Sequence, residues 1–139
     1  DLSDFIVVNS QARRFTTSLV GNSTVKVMRE NAILATMTWD SGANLDLDLD
    51  VMTPAWGWAF LTLDASAGSG NIETVSANLD NGNYALWIWA NAGSNESYTF
   101  TVTTIDGTET FTGIVEGSSW NLWFTKSGNN YTYFEEDPS

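Results

Sequence analysis

Three aspartates at alternate positions, Asp46, Asp48 and Asp50, stand in the stretch NLDLDLDV (44–51), and they are the residues best suited to chemistry. Hard cations such as calcium take several carboxylate and carbonyl oxygens at about 2.3–2.6 Å. Two neighbouring aspartates could share such an ion if a loop completed its shell. The spacing is not that of an EF-hand loop, which needs glycine at its sixth position and glutamate at its twelfth. Carboxylate pairs about 5–10 Å apart also hydrolyse glycosides. On a strand, however, residues two apart lie ~7 Å from each other by geometry alone. No feature announces the desolvated pocket that a general acid requires. The third reading is a solvated strand face. At an effective dielectric of about 80, each neighbouring pair repels by on the order of 0.6 kcal/mol, which water tolerates.

Seven tryptophans are the second resource. If Tyr84, Leu86 and Ile88 face a core, Trp87 and Trp89 must face away from it. Trp56 and Trp58 are likewise in phase, and Trp120, Leu122 and Phe124 share a face that Trp123 opposes. A strand apolar on both sides is either covered twice or offers a platform. Either the C-terminal strands or the PAWGWAF loop (54–60) cover Trp87 and Trp89, or these indoles stack on a sugar ring or a partner surface. Trp56, Trp58, Trp87 and Trp89 are the candidate ligand-binding residues.

The elements that must position these groups are strands. No ten-residue window carries an apolar stripe at helical spacing. Period-two segments rich in Thr, Val, Ile, Tyr and Trp recur instead. The pattern predicts strands at Asp4–Val8, Arg13–Leu19, Thr24–Met28, Ala32–Trp39, Asn44–Met52, Trp58–Asp64, Glu73–Asn78, Tyr84–Ala90, Tyr98–Ile105, Thr110–Val115, Ser119–Thr125 and Tyr131–Phe134. Between them stand turn signals such as DNGN (80–83), IDGT (105–108) and KSGNN (126–130), which supply the positive φ values of tight hairpins. The expected fold is all-β, an antiparallel sandwich of jelly-roll type with a C-terminal meander. Residues 1–134 form one domain and EEDPS (135–139) an acidic tail.

Composition narrows the function. The chain has no histidine and no cysteine. That removes disulfides, thiolate metal sites and every Ser-His or Cys-His nucleophile pair. A net charge of −12, with five cations in 139 residues, disfavours nucleic acid and anionic membranes. No apolar run is long enough for a membrane-spanning segment. Abundant Thr, Asn, Ser and Gly with few lysines fits secreted bacterial β domains.

Three motifs then occur in order: TMTWDSGANLDLDLDV (36–51), NLDNGNYALWI (78–88) and ESYTFTV (96–102). Together they resemble bacterial pre-peptidase C-terminal domains, which carry an outward-turning "aDLDLyv" strand, a "GxYyhhV" strand after a turn and a closing "YTLTV" strand. The resemblance covers about residues 15–103. It implies a jelly-roll-like sandwich, a secreted, periplasmic or cell-surface location, and an accessory role beside a larger enzyme or adhesin. Collagen-binding relatives add calcium that orders the sandwich. Position by position, the resemblance puts Leu45, Leu47, Leu49, Tyr84, Leu86, Ile88, Tyr98, Phe100 and Val102 in the core. It puts Asp46 and Asp48 at the family's acidic positions. Asp50 departs from the pattern, and residues 111–134 lie beyond the family's usual end. The expectation is a module that binds an extracellular protein or polysaccharide and does not catalyse. A glycan-binding module and a plain spacer are the alternatives.

Overall fold

The computed structural model describes residues 19–20, 23–24, 30–53 and 56–139. Nine strands build the body: β3 (Ala32–Trp39), β4 (Asp46–Thr53), β5 (Trp58–Ser66), β6 (Ile72–Asn78), β7 (Gly82–Trp89), β8 (Glu96–Thr104), β9 (Gly107–Val115), β10 (Ser119–Ser127) and β11 (Asn130–Phe134). A two-residue pair, β1 (Leu19–Val20) and β2 (Ser23–Thr24), precedes them. The strands expected from the sequence match β3 to β11 within three residues at each end. The expectations at Asp4–Val8, Arg13–Leu19 and Thr24–Met28 fall outside the described residues, apart from Leu19 and Thr24.

All pairing is antiparallel, in a five-stranded sheet ordered β11-β10-β7-β4-β5 and a four-stranded sheet ordered β6-β3-β8-β9. The two sheets stack as a β-sandwich, and among the described residues there is no helix. After β3 the chain crosses to the other sheet for the β4–β5 hairpin, then alternates through β6, β7 and β8. The C-terminal strands are divided between the layers. β9 borders β8 in one sheet, while β10 and β11 extend the other beside β7.

Period-two alternation explains the core. Leu45, Leu47 and Leu49 are fully buried, as are Leu86 and Ile88 on β7, with Tyr84 nearly so. They meet Ile33, Ala35 and Met37 of β3 and Phe100 and Val102 of β8. Burying one such aliphatic side chain is worth about 1.5–3 kcal/mol relative to leaving it in water. Hairpin chemistry sets the register. Gly128 takes φ +60° at the first turn position between β10 and β11, as a II′ turn demands. Lys126, otherwise buried, bends its ammonium back to the Gly128 carbonyl at 2.7 Å.

Gly113 on β9 lies opposite Tyr98, whose ring covers it so closely that a Cβ there would stand 2.7 Å from Tyr98 Cζ. Gly113→Ala is therefore expected to lower the unfolding free energy in urea by about 1–3 kcal/mol, the usual cost of overpacking. An unchanged midpoint would show that the ring does not sit on the glycine.

Candidate functional site: an acidic and aromatic sheet face

The face of the five-stranded sheet turned away from the core brings together the aspartates and most of the tryptophans. Asp46, Asp48 and Asp50 point to this side because their leucine neighbours point inward. Across the β4–β7 ladder, Asp46 pairs with Trp89, Asp48 with Trp87 and Asp50 with Ala85. On the far side of β7, Trp120 pairs with Trp87 and Trp123 with Ala85.

The face is not simply solvated. Trp89 donates its indole N–H to Asp48 Oδ2 at 2.8 Å, and Trp120 donates to Asp50 Oδ2 at 2.9 Å. Thr62 of β5 donates to the other Asp50 oxygen at 2.8 Å. Asp50 is thereby only 4% exposed, while Asp46 and Asp48 are half-buried. The small Ala85 leaves room for the Trp120 indole to reach across β7. The reading of the row as an open, wet strand face is corrected at Asp50, where tryptophan covers it.

The rings form an edge-to-face series. Trp87 lies 5.5 Å from Trp89 at 67° and 4.9 Å from Trp120 at 77°. Such T-shaped pairs each add about 0.5–1.5 kcal/mol beyond area burial. Trp87 is half-buried and its N–H lacks a partner, as does Asp46 Oδ1. Trp89, at the edge of the series, remains 49% exposed.

One expected phase is wrong. The β7–β10 register shifts between Trp120 and Leu122, so Asn121 is the extra residue of a β-bulge. Trp120 therefore joins Trp123 on the outer face while Leu122 and Phe124 stay in the core. Trp56 and Trp58 also part company. Trp56 lies in the turn before β5 with φ +76°, a strained conformation for a bulky residue. Its ring packs edge-on against Phe134 at 6.0 Å, in a small outer cluster with Met52, Ala85 and Trp123. Trp58 is 61% exposed at the start of β5. Nothing in the spacing of Trp120 or Thr62 marks them as partners of Asp50. Their role needs the register of three strands.

Burial raises the Asp48 pKa above the ordinary aspartate value. The Trp89 hydrogen bond opposes that rise, and the charges of Asp50 and Asp46 add to it. Asp48 and Asp50 spend oxygens on separate indoles, and among the described residues no three His, Cys, Asp or Glu gather as a metal cage would. What the face offers is one half-open indole, fixed by a carboxylate and backed by two more rings. No helix among the described residues is long and apolar enough to cross a membrane.

Fold and site together define a two-sheet antiparallel β-sandwich with an acidic, tryptophan-lined outer face. No family model, no curated protein and no solved structure matches the chain.

A raised carboxyl pKa means that the folded state holds the Asp48 proton more tightly than the unfolded chain. Its stabilising contribution is complete below the unfolded pKa and is lost as pH rises through the folded one. Asp48→Asn keeps an acceptor for Trp89 and removes the charge. The variant is expected to melt above the wild type at pH 7, with the gain vanishing below about pH 4. A variant that melts lower at pH 7 contradicts this.

Proposed function

We propose that the domain is a non-catalytic attachment module of a larger exported protein, and that it binds through the outer face of the five-stranded sheet around Trp89. The observation that carries this reading is the half-exposed Trp89 indole, held in one orientation by Asp48 and supported by Trp87. An anchored aromatic loses little side-chain freedom on binding and presents a large contact area, the usual make-up of a binding hot spot. The exported location and accessory role rest on composition and on the three-motif resemblance. In this reading the partner is an extracellular protein.

A glycan is the second reading. Its support is the carboxylate beside the exposed ring, since sugars present C–H faces for stacking next to hydroxyl donors. Both readings keep the same surface and differ in the partner.

Retention on insoluble polysaccharides and on immobilised extracellular-matrix protein separates them. Trp89→Ala is expected to weaken retention at least tenfold, about 1.4 kcal/mol, while leaving the melting temperature within a few degrees. Retention that survives the substitution places the binding surface elsewhere. Wild-type protein that adheres to nothing leaves the domain a spacer.

A further inference from the structure

Along one side of the sandwich opens a cleft that shares no residue with the tryptophan face. β9 is the edge of the four-stranded sheet and β11 the edge of the five-stranded one. Phe111 of β9 and Tyr133 of β11 meet across the seam, with ring centroids 5.2 Å apart at 51°. The cleft beside them measures about 370 Å³, and Thr104, Asp106, Glu109 and Tyr131 also line it. Ligand sites run from about 300 to 1,000 Å³, so this one suits a single long side chain.

The charges of the cleft are of one sign. Asp106 and Glu109 are exposed, and no cationic side chain is among the lining residues. Asp106 Oδ2 accepts the Tyr131 backbone N–H at 3.3 Å, which ties the β8–β9 turn to β11. Tyr131 adds an observation of a different kind. Its side chain is 8% exposed, and its hydroxyl is buried without a hydrogen-bond partner among the described residues. Burial first, then Tyr133, Tyr84 and Asp106, push its pKa up to about 12, and two of those three neighbours line the same cleft. The hydroxyl therefore stays uncharged at neutral pH. Buried hydroxyls are ordinarily bonded, and one left open beside a cleft calls for a partner within it.

Two carboxylates, an open hydroxyl and a pair of tilted rings together select an organic cation. A guanidinium answers all three. Its in-plane N–H groups donate to carboxylate and hydroxyl oxygens, while its flat face packs on aromatic rings. An ammonium pairs with the acids but lacks the flat face. Exposed carboxylates alone hold a cation weakly, so the rings and the hydroxyl are what localise it here. The chain's net charge of −12 favours a basic protein as the source and disfavours a second copy of the chain.

We infer that the β9–β11 cleft receives an arginine side chain of a partner protein. Asp106 and Glu109 pair with the guanidinium, Phe111 and Tyr133 pack on its face, and the Tyr131 hydroxyl accepts one of its N–H groups. This contact goes beyond the Trp89 surface and does not depend on it.

A ¹H–¹⁵N NMR titration of the full chain with N-acetylarginine amide tests it, with N-acetylcitrulline amide as the neutral isostere. The arginine probe is expected to shift the amides of residues 104–111 and 131–133, and less so as salt rises. The citrulline probe should leave them unmoved. Asp106→Asn, which keeps an acceptor for the Tyr131 N–H, combined with Glu109→Gln should weaken the arginine probe by about tenfold. Tyr131→Phe removes only the open hydroxyl and should weaken it by about threefold. It serves as the deciding variant if the double substitution does not fold. Trp89→Ala should bind the probe as the wild type does. A wild type that the arginine probe does not shift overturns the inference, including one whose cleft is already filled by a cation of residues 1–29. So does an equal response to citrulline, or shifts spread equally over distant acids such as Asp40, Glu96 and Glu116. Undiminished binding in Tyr131→Phe or in the double variant, or binding lost in Trp89→Ala, overturns it as well.

Discussion

Strand β4 sits inside the five-stranded sheet with β7 and β5 on its flanks, so both of its faces must be accommodated. One face is leucine and poses no difficulty. The other is a row of three carboxylates, and Asp50 is nearly sealed from water. An acid can occupy that position only if donors replace the water it gives up. At Asp50 the donors are the Trp120 indole N–H from β10 and the Thr62 hydroxyl from β5, and at Asp48 the donor is the Trp89 indole N–H from β7. Neighbouring tryptophans on the outer face follow from that requirement. Each indole brings apolar area to cover the sheet and a polar hydrogen to meet an aspartate.

The same constraint orders the face. Asp50, held by two donors, lies at the covered end beside the small cluster of Met52, Ala85, Trp56 and Trp123. Asp48 has one indole donor, and its raised pKa records the burial and like charges that remain. Asp46 faces Trp89 across the ladder with one oxygen unpartnered. Coverage therefore thins from Asp50 towards Asp46, and Trp89 lies where it ends. The exposed indole is the unfinished edge of a packed series, which is why it is both oriented and available.

The fold was legible because its signals are local. Alternation in Leu45–Val51 and in Tyr84–Ile88 has a period of two that no bulge interrupts on the β4–β7 ladder. Glycine at residues 107 and 128 marked hairpins that form at those points. What stayed hidden depends on register between distant strands. The bulge at Asn121 reverses the phase of Trp120, and that one residue decides whether its ring enters the core or reaches Asp50. The conformation of Trp56 was equally invisible, since a period-two argument does not apply to a turn.

The pairing of carboxylates with indoles is tested most directly by ¹H–¹⁵N NMR of the seven indole N–H groups in wild type, Asp48→Asn and Asp50→Asn. The account predicts that Asp48→Asn chiefly moves the Trp89 indole resonance and that Asp50→Asn chiefly moves that of Trp120. It also predicts that the Trp120 N–H exchanges with solvent more slowly than that of exposed Trp58. Indole resonances unmoved by either substitution, or a Trp120 N–H that exchanges as fast as that of Trp58, would contradict it.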